Sequence, residues 1–165
     1  MDNMTTTTLN MVTTRTINAP IEKVWQAWSQ ESIVKQWWGP RKFTAPVAKM
    51  NFRVDGKSLV CMRSPEGFDI YNTWTYTEIT PLERIAFIHH FSDKDGNPIN
   101  PSAIGMPPGM PDSVPHLIIM KRIGNNKTAI TVTEFGYTSA QVVSLSKAGM
   151  DECLDKMEEC LVNAR

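Results

Sequence analysis

The side chains of this chain that could move a proton are few and scattered: His89, His90, His116, Glu78, Tyr71, Tyr76 and Arg63. Acid–base chemistry needs such groups within hydrogen-bond reach of a substrate, with proton affinities shifted by their surroundings. Adjacent His89 and His90 point to opposite faces of a regular strand, so only one of them readily enters an interior. On neighbouring strands, His89 and either Tyr76 or Trp74 could share the inner face, whereas His116 lies near a strand start and could equally face solvent. Zinc requires four convergent ligands, or three and an open position. Nothing in the spacing of His89, His116 and Cys61 forces convergence, and Cys153 and Cys160 sit two helical turns apart, too far to share one ion. No metal site is expected.

Other chemistries fare no better. There is no Gly-x-Ser-x-Gly elbow, and no Cys–His arrangement follows from separation alone. Gly105-Met106-Pro107-Pro108-Gly109 is not a phosphate loop, because its prolines remove the backbone N–H groups that an anion cradle requires. Neither a nucleotide nor any other cofactor is expected. What the chain has in quantity is apolar wall material, with five Trp and ten Met. Aromatic rings bring rigid area and methionine adapts to irregular gaps, so both suit the lining of a pocket as well as a solid core.

These residues must be positioned by secondary structure. β-Branched residues from Leu9 to Ile17 favour an extended chain. Asn18-Ala19-Pro20 then leads into a short helix with Pro20 suited to its first position and Ile21, Val24, Trp25 and Trp28 at helical spacing. Ile33, Val34, Trp37 and Trp38 mark a second short helix stopped by Gly39-Pro40. Strands are expected over 43–52, 57–63, 71–79, 84–91, 114–123 and 127–137, with Asp55-Gly56 the strongest hairpin signal. In the last strand Ile130 and Val132 share one face while Thr131, Thr133 and Phe135 share the other. Thr138 and Gln141 form a capping box for a terminal helix whose apolar face carries Leu145, Met150, Cys153, Leu154, Met157 and Leu161. Its acids, Asp151, Glu152, Asp155, Glu158 and Glu159, fall largely on the solvated side. Gly149 inside this helix suggests close approach to the sheet or a slight bend. The proline- and glycine-rich stretch 92–113 is long for a structureless connection, and Ile104, Met106 and Met110 in it suggest a cover over a groove or a partner surface.

Composition sets outer limits. A chain of 165 residues fits one domain over 1–165, with 1–8 expected to fray. Lys plus Arg equals Asp plus Glu, 17 of each, and no basic tract is present, so a nucleic-acid partner lacks its electrostatic footprint. The odd, scattered cysteines suit free thiols in a reducing compartment, and the chain shows neither a leader pattern nor a membrane-spanning run. A cytoplasmic location is the expectation. Near-zero net charge is compatible with a homodimer without specifying one.

Asn-Ala-Pro-Ile-Glu-Lys-Val-Trp-Gln-Ala-Trp at 18–28, Trp37-Trp38-Gly39-Pro40, and Thr80-Pro81-Leu82-Glu83-Arg84-Ile85 before a strand carry a family resemblance. Together with Thr128–Tyr137 and the terminal helix, they resemble the activator-of-Hsp90-ATPase-like branch of the START-like, or polyketide-cyclase-like (SRPBCC), superfamily. The resemblance implies an α+β helix-grip domain of the Bet v 1 kind: a curved antiparallel sheet around a long C-terminal helix, with two short helices after the first strand. The chain departs from the family pattern at Asp55-Gly56-Lys57, where paired glycines are common, and in its longer 92–113 connection. Resemblance and strand alternation together nominate a ligand pocket lined by Trp37, Trp38, Met62, Trp74, Tyr76, Phe87, His89, Met120, Met150, Leu154 and Met157, with Tyr76 or His89 orienting the ligand. The expected function is binding of a small hydrophobic molecule. The alternatives are a cyclase, dehydratase or hydrolase acting on an aromatic or polyketide-like substrate, and a chaperone-interaction module.

Overall fold

A computed structural model describes residues 7–163, so residues 1–6 of the expected frayed start lie outside the described residues. The chain runs β1 (Leu9–Ile17), α1 (Ile21–Ser29), α2 (Glu31–Trp37), β2 (Thr44–Lys49), β3 (Lys57–Arg63), β4 (Asp69–Thr80), β5 (Arg84–Ser92), β6 (Val114–Ile123), β7 (Lys127–Tyr137) and α3 (Ala140–Asn163). One short 3₁₀ turn, Pro101–Ile104, interrupts the β5–β6 connection. The seven strands form one curved antiparallel sheet in the order β1-β7-β6-β5-β4-β3-β2. Because β1 and β2 lie at opposite edges, α1 and α2 carry the chain from one edge to the other. α3 packs against β1, β7 and both short helices. This is the helix-grip arrangement that the resemblance implied.

Local chemistry explains most boundaries. Pro20, at φ −60° and ψ 151°, is extended and caps α1 rather than opening it, so the helix begins one residue later than expected, at Ile21. The second helix ends at Trp37, and Gly39, at φ +98°, takes the left-handed conformation that lets the chain turn away. The cap of α3 also shifts by one residue. Ser139, not Thr138, supplies the side-chain oxygen, which accepts from the Val142 N–H at 3.5 Å. Asp55-Gly56 does not form a tight two-residue hairpin. β2 and β3 are joined by residues 50–56, and Gly56 pairs with β4 through Tyr76 N–H to Gly56 O at 3.0 Å. A Cβ at Gly56 would lie 2.2 Å from the Asn51 carbonyl oxygen, so backbone proximity demands glycine there.

The aromatic residues form one connected core. Ring centroids lie 4.7 Å apart for Trp28–Trp37, 5.8 Å for Trp37–Trp38, 5.0 Å for Trp38–Trp74 and 4.9 Å for the stacked Trp74–Phe87 pair. Such pairs contribute about 0.5–1.5 kcal/mol each beyond their buried area. Trp37 Nε1–H also donates to the Ala27 carbonyl at 2.8 Å, fastening α2 to α1. In β7 the inward face is Thr128, Ile130, Val132 and Glu134, all buried.

Two features of α3 differ from the sequence reading. Leu145, assigned to its apolar face, is 56% exposed. Its acids lie on the solvent side as expected, none of them buried, and make polar contacts there: Asp151 accepts from Thr13, Asp155 pairs with Arg15, Glu152 accepts from Arg41 N–H at 3.0 Å, and Glu158 from Asn18 N–H at 2.7 Å. A Cβ built on Gly149 would meet only Pro40 Cγ at 3.8 Å, an ordinary contact, so close approach to the sheet does not account for this glycine.

The 93–113 segment is ordered by its own polar groups. Asp93 accepts from Asp95 N–H at 2.9 Å and Asn97 N–H at 3.0 Å, and Asn100 caps the 3₁₀ turn by accepting from Ser102 N–H at 2.9 Å. Gly109 latches the segment to the start of α3. Its carbonyl accepts from Thr138 N–H at 3.1 Å, its φ is +107°, and a Cβ there would lie 2.4 Å from Ser139 Cβ. Gly109→Ala is therefore expected to release the latch. By amide hydrogen exchange, residues 105–113 should lose protection while β4 and β5 keep theirs; unchanged exchange at 105–113 would count against the latch.

Candidate functional site

The terminal helix packs tightly over its second half, where Leu154 and Met157 are fully buried, but only Val142 is buried before Met150. A recess opens beside this looser first half. Its walls come from α3, the inner face of β5–β7, Trp38 at the end of α2, and the latched segment, which contributes Met106, Pro107 and Met110. The open volume is about 220 Å³. An apolar cavity of roughly 150 Å³ already holds benzene, so the space accommodates a small aromatic molecule. The expectation that 92–113 covers a groove thus meets a segment that forms one of the recess walls.

Of the residues nominated from sequence, Trp38, Met62, His89 and Met150 line the recess. Trp37, Trp74, Tyr76, Phe87, Met120, Leu154 and Met157 are buried in the core and do not line it. Trp74 and Phe87 stand one layer behind, with Phe87 stacked on His116 at 4.8 Å. Tyr76 is engaged elsewhere. Its hydroxyl pairs with Ser58 Oγ at 2.8 Å, the same oxygen that accepts from Asn51 N–H at 3.0 Å, and burial pushes the phenol up to about 12. It fastens the β2–β3 connection and is not free to orient a ligand in the recess.

The polar part of the recess is a chain of buried groups, three of which the sequence did not single out. Ser146 Oγ donates to the Tyr137 hydroxyl at 3.2 Å, and Tyr137 donates to Glu134 Oε1. Glu134 Oε2 faces His116 Nε2 at 3.3 Å, and the opposite ring nitrogen, Nδ1, lies 2.9 Å from the Val114 carbonyl oxygen. A carbonyl can only accept, so Nδ1 carries a proton, and Nε2 can donate to Glu134 only when the ring is doubly protonated. His89 stacks on His116 with ring centroids 5.3 Å apart and meets Phe91 edge-on at 4.9 Å. His89, His116 and Glu134 are 8%, 6% and 4% exposed, which takes this cluster out of bulk water.

The surroundings fix several protonation states. Burial, followed by the nearby His116 and His90, holds His89 well below its ordinary 6.5, so it is a neutral imidazole at pH 7. Burial first, then the adjacent Glu134, raises the Tyr137 hydroxyl, which remains a donor. Burial pushes the Cys153 thiol up to about 12, so this recess cysteine is no thiolate nucleophile. No group of three or more His, Cys, Asp or Glu side chains is placed to hold a metal among the described residues. Cys61 lies apart from the two histidines, beside Tyr71 and Asp69. No described helix is long and apolar enough to cross a membrane.

Two measurements test this electrostatic picture. Tyr137→Phe removes the one hydrogen bond that Glu134 receives from a described side chain, leaving a buried carboxylate short of a donor. It should destabilise the fold by about 1–3 kcal/mol in urea denaturation, and a change under about 0.5 kcal/mol would contradict the assigned role. For His89 the sign follows from its depressed value. Between that value and 6.5 the unfolded chain binds a proton that the folded chain does not, so this contribution to stability falls as pH drops below about 6.5. Denaturation midpoints measured from pH 7.5 to 5.5 should decline, and His89→Phe should flatten the decline. Parallel slopes for the two proteins would exclude His89 as its source.

Comparison with known proteins agrees with this architecture. A protein from Nitrosomonas europaea superposes with a TM-score of 0.74 at 19% identity, covering 94% of this chain and 96% of the other. A protein from Arthrobacter aurescens gives 0.76 at 21% identity, over 93% and 86% of the two chains. The AHSA1 protein of Silicibacter pomeroyi gives 0.76 at 16% identity, over 95% and 100%. At these identities the likeness concerns the fold. No curated protein sequence matches the chain. The family model described as Activator of Hsp90 ATPase homolog 1-like protein matches residues 18–162, from the Asn-Ala-Pro turn before α1 almost to the end of α3, and the chain belongs to that family.

Proposed function

We propose that this protein binds a small hydrophobic molecule, of about the size of one or two fused aromatic rings, in the recess between α3 and the sheet. The observation that carries the reading is the combination of about 220 Å³ of open space with walls of Trp38, Met62, Phe91, Met106 and Met150. Ligand sites are concave and mostly apolar, with a few convergent polar groups that fix orientation. Here the polar groups are gathered on one side, at His89, His116 and Glu134. The latched 93–113 segment supplies one wall, through Met106, Pro107 and Met110.

The buried His116–Glu134–Tyr137 chain favours a second reading, an acid–base enzyme of the cyclase, dehydratase or hydrolase kind acting on an aromatic or polyketide-like substrate. A histidine and a carboxylate in contact at 3.3 Å are residue types that general acid–base catalysis uses, although His116 Nδ1 is tied to the Val114 carbonyl. A chaperone-interaction module would need an external docking patch, and no feature described above favours one.

Naphthalene is the simplest probe for the leading reading. Calorimetry or competition with a fluorescent apolar dye should show saturable binding to the native protein. Met150→Trp, which fills the recess from α3, should abolish it while leaving the fold intact by circular dichroism. If wild-type protein takes up no naphthalene, or the filled variant binds equally well, the proposed site is excluded.

A further inference from the structure

The Glu134 carboxylate is under-used by the protein around it. An ionised carboxylate has about four acceptor positions. Among the described residues its side chain receives one hydrogen bond, from Tyr137, and faces one ring nitrogen, His116 Nε2 at 3.3 Å. It is nonetheless 4% exposed and borders the recess. Buried acceptors left short of donors cost free energy unless something else supplies them, and the recess is open space that borders this carboxylate. The other polar groups there narrow what could fill it. Tyr137 spends its proton on Glu134, Ser146 spends its own on Tyr137, and His116 Nδ1 is turned to the Val114 carbonyl. At its Glu134 end the recess therefore offers a ligand an acceptor, while Trp38 on its wall carries a buried indole N–H with no partner among the described residues.

We infer that the ligand is an uncharged aromatic or enolic molecule carrying a hydroxyl, which donates its hydrogen bond to Glu134 while the ring lies against Trp38 and Met150. This deepens the small-molecule reading and rests on it. Charge selects the neutral form. A carboxylate or phenolate would be placed against Glu134 itself. An ammonium would have to be stripped of water among apolar walls, beside two stacked imidazoles, at a cost that one carboxylate already shared with His116 and Tyr137 does not offset. A hydroxyl carries a donor at a much smaller desolvation cost. A hydrogen bond to a charged acceptor is the stronger kind, and about tenfold in affinity is the expected gain over a ligand without the hydroxyl.

The test compares naphthalene, 2-fluoronaphthalene, 2-naphthol and 1-naphthylmethylamine on the full-length protein at pH 7 by calorimetry. Fluorine matches the hydroxyl closely in size but donates no proton. The inference expects 2-naphthol to bind about tenfold more tightly than naphthalene or 2-fluoronaphthalene, with the ammonium weakest. In Glu134→Gln the preference for 2-naphthol over 2-fluoronaphthalene should fall below about threefold. If that variant does not fold, the wild-type ranking decides. Equal binding of naphthol and fluoronaphthalene, or tighter binding of the ammonium, overturns the hydroxyl assignment and leaves the apolar site standing. A naphthol preference that survives in folded Glu134→Gln overturns Glu134 as its acceptor. Failure of all four compounds to bind removes the underlying ligand site and this inference with it.

Discussion

The second half of α3 is held from both sides, and the rest of the molecule depends on that grip. On one side Leu154 and Met157 are sealed against the core. On the other, Asp155 reaches Arg15 of β1, while the Lys156 ammonium donates to three carbonyls after α2, those of Gly39 at 2.9 Å, Pro40 at 3.3 Å and Phe43 at 3.2 Å. These carbonyls belong to the turn where α2 stops, so one cation closes the exit of the short-helix pair and fixes the long helix against it. A 24-residue helix is about 36 Å long, too long to be packed evenly against a curved sheet when one end is held so closely. The first half stands off, and the recess is the space left beneath it.

That space has a consistent division of labour. The ladder of Trp28, Trp37, Trp38, Trp74 and Phe87 forms a rigid floor that ends on the His116 ring. A stiff backing layer is what keeps an apolar hollow from collapsing, because close-packed aromatic interiors have few alternative rotamers. The ceiling is softer: methionines from α3 and the 93–113 segment, which adapt to a contour at little cost. The polar cluster sits where floor and ceiling meet. Tyr137 donates to its carboxylate, and among the described residues no further side-chain hydrogen bond reaches it.

Much of the scaffold was legible in the residues. β1, β3, β6 and β7 fall within the spans that β-branched alternation and turn residues indicated, and Gly39-Pro40 stops α2 as its chemistry demands. The site was legible only in part. Alternation in β7 puts Glu134 on the same face as Ile130 and Val132, so a carboxylate on an apolar face is the readable signal for it. Tyr137 was not readable. In a regular strand it would face away from Glu134, but β7 carries an extra residue against β1, where Leu9 pairs with Tyr137 and Met11 with Glu134. Gly136, at φ +94°, takes up the irregularity and turns Tyr137 back to the inner face. Leu145 failed in the opposite sense, since helical spacing places it beside the apolar stripe and only the stand-off of α3 leaves it exposed.

The sequence by itself determined the order of elements, the family, the abundance of apolar wall and the lack of any ready-made nucleophile or phosphate motif, because each of these is written in local spacing and residue type. The tertiary structure alone decided which aromatics became floor and which became wall, since that depends on how far the helix stands from the sheet. It also decided that His89, His116, Glu134, Tyr137 and Ser146, spread over β5, β6, β7 and α3, meet at one place. Strand register across β5–β6, a bulge in β7 and the packing of α3 on the sheet jointly set that meeting, and none of the three is encoded within any single stretch of chain.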